Sequence, residues 1–191
     1  EAWLLDPDSE ALTCLRTLYD LDKRIQNYLE VADRYNYYKK YLNLEISKSH
    51  ILQQVKNDID VRIDLWQFII ISKETIEKWY KEDINVLSFK EMTDIIVNWE
   101  LKIQQLENNI EKKTIIQWLK SNTEHVKGYL PLIQHINEGL LKKRHWFEIE
   151  LLLNHKFDPE VNITLALLEK LNFLFYKNEF MRKLINKGQI N

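Results

Sequence analysis

The chain has 191 residues and a formal net charge of -2 from 27 basic and 29 acidic side chains, which gives no global drive towards nucleic acid or an anionic membrane. Hydrophobic residues make up 45%, with six Trp, nine Tyr and seven Phe, so extended disorder is excluded over most of the length. One cysteine, Cys14, excludes an internal disulfide framework and fits a reducing compartment, and three Gly with three Pro leave few tight turns.

These counts predict an all-α fold, an elongated antiparallel bundle of long helices followed by shorter ones. No stretch approaches the roughly 20 apolar residues of a membrane span. Glu1-Ala2-Trp3 lacks an initiator Met and a signal-peptide pattern, so the chain is expected to be a piece of something longer.

Asp6-Pro7 predicts the first helix start, because Asp can cap backbone N–H groups and Pro tolerates the first helical position. The helix is expected to run to about Leu42 with Leu15, Leu18, Ile25, Tyr28, Leu29, Ala32 and Tyr35 on its buried stripe. Tyr35, Tyr37, Tyr38 and Tyr41 among Arg34, Lys39 and Lys40 suit amphipathic packing near a helix end better than base stacking. Cys14 reads as a small apolar side chain.

After a connection over 43–49, a second helix to roughly Lys81 carries Ile51 or Leu52, Val55, Ile59, Ile63, Trp66, Phe68, Ile69, Ile76 and Trp79. Its apolar face is broad over 65–71, which suits burial between two neighbours. Ser88-Phe89-Lys90-Glu91 is a capping box. It opens two heptad rows, Met92, Trp99, Leu106 and Ile96, Ile103, Ile110, that form an ordinary bundle face in preference to an autonomous coiled coil. A break over 111–114 is left open, and Ile115, Ile116, Trp118 and Leu119 carry the next helix to about Val126.

The chain is organised around 130–149. Leu130, Ile133, Ile136 and Leu140 recur at steps of three and four, Gly128 and Pro131 punctuate the entry, and Gly139 can take the positive φ that closes a helix. The helix that follows places Leu141, His145, Ile149 and Leu152 on one stripe, Trp146, Ile149 and Leu153 on the next, and Lys142 and Lys143 towards water. A loop over 154–161 contains Pro159. Asn162 or Thr164 then caps a short helix to Leu171, and a last helix covers 176–185 before Lys187-Gly188, with the final residues frayed.

No constellation points to catalysis. His125, His135 and His145 are spaced by ten, which puts successive ones about 80° off one helix face, and Gly128, Pro131 and Gly139 interrupt the helix between them. No His pair has the spacing of a helical metal site, and neither the Walker pattern nor GxGxxG occurs. Catalytic, cofactor-binding and metal sites are therefore all expected to be absent.

The residues Leu130-Pro131-Leu132-Ile133, a spacer, a Leu-Leu pair and Lys143-Arg144-His145-Trp146 resemble the signature of dynein heavy chains where the tail passes into the linker. Phe157-Asp158-Pro159 with Asn162-Ile163-Thr164-Leu165 resembles the continuation, 168–171 fits the family's next apolar helix, and Trp66, Trp79 and Trp99 match more loosely. The resemblance covers about 42 onward and is specific over 130–171. It implies a non-catalytic mechanical fragment of a microtubule motor, with residues 1–87 at the end of the tail and 88–191 at the start of the linker. The structural signature is Leu130, Pro131, Leu132, Ile133, Arg144, His145, Trp146 and Ile149, with Trp146 as a buried anchor and Arg144 and His145 pinning helix ends. The implied partners are the heavy chain's ATPase ring and tail and other dynein subunits, with no nucleic acid and no membrane. The implied place is the cytoplasm or cytoskeleton, leaning to the axoneme of a cilium or flagellum. The rival reading is a helical module that docks a partner, which an exposed Ile96-Ile103-Ile110 row would favour.

Overall fold

The structure, a computed structural model, describes residues 2–46, 50–158 and 161–188. One turn of 3-10 helix at Ala2–Leu5 precedes α1 (Ala11–Tyr41), α2 (His50–Lys81), α3 (Phe89–Asn109), α4 (Lys113–Lys127), α5 (Leu130–Asn137), α6 (Lys143–Leu153), α7 (Leu165–Lys170) and α8 (Phe173–Gly188). The fold is all-α, with the three longest helices first. Among the described residues β-pairing is confined to an isolated bridge between Asp83 and Thr164. Ser47–Ser49 of the expected first connection, Pro159 and the final three residues lie outside the described residues.

Helix ends follow local chemistry. The start of α1 is corrected from Asp6 to Ala11, because Asp6 Oδ1 accepts the Asp8 N–H at 3.1 Å and the Asp6 carbonyl accepts the Ser9 N–H, closing a turn ahead of the helix. Ser88 Oγ accepts the Glu91 N–H at 3.3 Å and opens α3. The helix is interrupted between Asn109 and Lys113. Thr164 is the N-cap of α7, its Oγ1 accepting the Leu167 N–H at 3.2 Å.

Left-handed closures are supplied by Asn43 after α1, Asn154 after α6 and Asn172 after α7, and by Gly139 (φ +66°) after α5. Asparagine tolerates this region better than other side chains, which explains how so few glycines suffice. Behind Gly139 the Leu140 N–H reaches the His135 carbonyl at 2.9 Å and the Gly139 N–H the Ile136 carbonyl at 3.0 Å, the paired bonds of a Schellman closure.

The chain divides into two compact units, each built from separated stretches: Glu1–Ser72 with Ile103–Leu119, and Lys73–Lys102 with Lys120–Asn191. In the first, Trp66 is fully buried and its indole N–H donates to the Leu4 carbonyl at 2.9 Å, which satisfies a buried donor and fastens the 3-10 turn. Lys56 bonds Asp22 at 2.8 Å and also reaches Asp60, and the Gln67 amide donates to the Tyr19 hydroxyl at 2.7 Å, joining α1 to α2. Leu65, Trp66, Phe68 and Ile69 form the broad buried face of α2, while Ile71 is exposed.

On α1 only Cys14 and Leu18 are fully buried among the described residues. The expected stripe is corrected at two positions: Tyr28 is 57% and Tyr35 65% exposed, while Leu15, Ile25, Leu29 and Ala32 are half-buried. Period alone marks a face that can pack, and here the edge carrying Tyr28 and Tyr35 stays exposed.

In the second unit Trp79 and Trp99 lie with ring centroids 5.5 Å apart, and α8 packs on α6 and α7. The Ile84 N–H donates to the Ile163 carbonyl at 2.9 Å, holding the α2–α3 loop against the entry to α7. A Cβ on Gly128 would lie 2.9 Å from the His125 carbonyl oxygen, a backbone atom, and 3.0 Å from the movable Leu174 Cδ2, so the local backbone favours glycine there. Along α3 and just past its end, Met92, Ile96 and Trp99 are buried in this unit and Ile103, Leu106 and Ile110 in the first.

Candidate functional site

The segment from Leu130 to Leu153 forms α5, a short link and α6. Pro131 sits in the first turn of α5, where its missing N–H costs nothing, and Leu130, Leu132 and Ile133 are buried. On α6, Ile149 and Leu153 are buried and Lys142 and Lys143 exposed. His145 is buried as well, and it works as a cap: its Nδ1 accepts the Lys142 N–H at 3.1 Å, while Arg144 Nε lies 3.3 Å from its Nε2. Burial, and then the Arg144 guanidinium, hold the imidazole below its ordinary pKa of 6.5. The neutral ring keeps the lone pair that the cap needs.

Trp146 departs from the expected buried anchor. It is half-buried, packs edge-to-face on Phe157 with centroids 5.8 Å apart, and walls an open groove with Asp83, Phe147 and Ile163. Tyr129, at the α4–α5 junction, is fully buried in this unit, as are Phe173 and Phe180. The Tyr129 ring stacks on Phe173 at 6.2 Å and meets Tyr80 edge-on at the same distance.

The Tyr129 hydroxyl donates to Glu169 of α7, and His125 Nε2 lies 2.9 Å from the same carboxylate oxygen. Burial pushes the Glu169 carboxyl up, but the bonds from Tyr129 and His125 outweigh it and hold the group below its ordinary value. Burial and then the Glu169 charge push Tyr80 up to about 12, and burial with the Glu169 hydrogen bond pushes Tyr129 higher still. At neutral pH the carboxylate is therefore charged and both phenols stay protonated donors. The cluster ties the end of α2, the α4–α5 junction, α7 and α8 together.

A second tie joins α5 to α3. Asn137 Nδ2 donates to the Leu87 carbonyl at 2.9 Å, and its Oδ1 accepts the Phe89 N–H at 2.6 Å. One amide side chain from the last residue of α5 thus satisfies both backbone groups that flank Ser88, the residue that caps α3. Sequence reasoning passed over both ties, because their partners stand 40 to 50 residues apart and belong to no motif.

The three evenly spaced histidines have three separate tasks: His125 pairs with Glu169, His135 Nδ1 meets the Pro131 carbonyl at 2.6 Å, and His145 caps α6. Among the described residues no group of three or more His, Cys, Asp or Glu side chains is placed to hold a metal ion. Among them, too, no helix is long and apolar enough to cross a membrane.

The profile of the family "Dynein heavy chain, N-terminal region 2" matches residues 52–189. Similar proteins include Dynein axonemal heavy chain 6 of Homo sapiens, 26% identical over 163 residues that cover 85% of this chain. Dynein axonemal heavy chain 1 of Homo sapiens and of Mus musculus are each 20% identical over 148 residues, 75% of this chain. The chain spans 4% of the length of each of these relatives.

Proposed function

The chain belongs to the dynein heavy chain family through N-terminal region 2, and we propose that it is a non-catalytic mechanical element of the tail-to-linker region, coupling ATP-driven changes in a motor ring to force on microtubules. The observation that carries this reading is the burial of both heptad rows of α3. An exposed Ile96-Ile103-Ile110 row would present a docking face. A buried row makes α3 a strut, whose displacement passes to close-packed neighbours instead of being absorbed. The Asn137 clasp supports the same reading, since it fixes the N-terminal end of the strut to α5.

In this reading residues up to about 87 close the tail and residues 88–191 open the linker. ATP hydrolysis resides in the ring, outside this chain, and the partners are that ring, the rest of the tail and other dynein subunits. The names of the relatives support an axonemal heavy chain, working in the cytoskeleton of a cilium or flagellum. The test compares ATP-driven microtubule gliding with ATP turnover in a heavy chain disrupted over 130–146. Retained turnover with lost gliding supports coupling. Unchanged gliding and turnover would make the bundle a docking module.

A further inference from the structure

Trp146 and Glu150 lie one turn apart on α6 with Phe147 beside them, and they border a groove of about 580 Å³. Its other walls are the α2–α3 loop at Asp83 and the chain at Phe157 and Ile163, all within the second compact unit. The walls are tied to one another. Glu150 Oε1 accepts the Phe157 N–H at 2.8 Å, the Ile84 N–H donates to the Ile163 carbonyl at 2.9 Å, and Asp83 Oδ1 accepts both the Asn85 N–H and its side-chain amide at 2.7 Å. The volume falls in the range of roughly 300–1,000 Å³ usual for ligand clefts, and walls fixed in advance lower the ordering cost of filling it.

Charge selects the occupant. Asp83 and Glu150 are both half-buried, their hydrogen bonds come from neutral donors, and among the described residues no cation pairs with either. Lys143 also borders the groove, but it is exposed and its long stem lets the ammonium stay in water. Asp158 adds a third carboxylate to the wall and has a contact of its own. Beside the carboxylates stand Trp146, with Phe157 edge-on to it, and the exposed ring of Phe147. Half-buried carboxylates next to an indole fit a guanidinium, which stacks on the ring and meets a carboxylate through two parallel bonds, better than a compact ammonium.

The source follows from length. The groove lies wholly inside the residues that match the family profile, and the matched stretch is 4% of each relative. Tethered segments of one polypeptide meet such a groove at effective concentrations on the order of millimolar, an advantage that a separate polypeptide lacks. We infer that the groove holds an arginine-bearing segment of the same heavy chain from outside residues 1–191, its guanidinium against Trp146, Asp83 and Glu150. The inference rests on the reading of residues 1–191 as one stretch of a longer heavy chain.

The test is photo-cross-linking in the full heavy chain, with benzoylphenylalanine in place of Phe147 and the joined peptides identified by mass spectrometry. The expected product joins position 147 to an arginine-containing peptide of the same heavy chain from outside residues 1–191, and it keeps the mass of one polypeptide. Asp83→Asn with Glu150→Gln removes both charges but keeps the acceptors that tie the walls, and should lower the yield severalfold. The same probe in place of Phe175, an exposed ring on α8 outside the groove, should react equally with and without that pair, which excludes misfolding. No cross-link at 147, a cross-link to a separate polypeptide, a same-chain partner without arginine, or a yield indifferent to the two carboxylates would each overturn the inference. None of these outcomes bears on coupling, which is read from gliding against ATP turnover.

Discussion

The Tyr129 hydroxyl donates to Glu169, 40 residues further on, from a ring that is itself fully buried between Tyr80 and Phe173. Removing only the donor isolates this bond. Tyr129→Phe keeps the aromatic packing and is expected to cost about 1 kcal/mol, since the carboxylate keeps His125 and partial access to water. Tyr129→Ala should cost roughly 3–5 kcal/mol through the lost ring. Urea unfolding of the two variants measures both, and equal losses would contradict a core role for the ring.

Acid should weaken the same cluster. Because Glu169 sits below its ordinary pKa of 4.5 in the folded chain, the unfolded chain binds more protons there, and the stability it contributes is present above 4.5. It is lost as pH falls from 4.5 through the lower folded value. Thermal midpoints between pH 6 and pH 3 should therefore fall less steeply in Glu169→Gln than in the parent chain, and parallel curves would contradict this.

His145 titrates in a higher window. Its folded pKa lies below 6.5, so protonation favours the unfolded chain, and stability is lost as pH falls from 6.5 towards the folded value. Protonation also removes the Nδ1 lone pair that accepts the Lys142 N–H. His145→Gln should flatten the fall in thermal midpoint between pH 7 and pH 5 while leaving the Glu169 window intact.

Asn137→Ala should expose the tie between α5 and α3. The change leaves the Leu87 carbonyl and the Phe89 N–H without their bonds to this side chain and is expected to cost about 1–3 kcal/mol. Amide exchange at Phe89 should rise well ahead of exchange at mid-helix positions such as Trp99. Unchanged exchange at Phe89 would show that the clasp does not hold the end of α3.

How much of this was legible in the sequence depends on the range of the interaction. Ser88, Gly139 and Thr164 announced helix ends because each acts within a few residues of itself, and the heptad positions from Met92 to Ile110 announced a bundle face because a sustained 3.5-residue period leaves little freedom. Asp6 misled, because its carboxylate and carbonyl close a turn before the helix instead of capping it. Tyr28 and Tyr35 misled for another reason: period identifies an apolar face, but only a neighbour decides whether it is covered. Trp146, expected as a buried anchor within the signature, is only half-buried, while the Tyr129–Glu169 and Asn137 ties left no sequence trace because single polar side chains meet across long separations.

The most direct measurement is microtubule gliding velocity against ATP turnover for a heavy chain carrying Asn137→Ala, with Leu140→Ala at an exposed neighbouring position as control. Mechanical coupling through α3 predicts that turnover holds while gliding slows severalfold in Asn137→Ala alone. Gliding that keeps pace with turnover in both variants would contradict it.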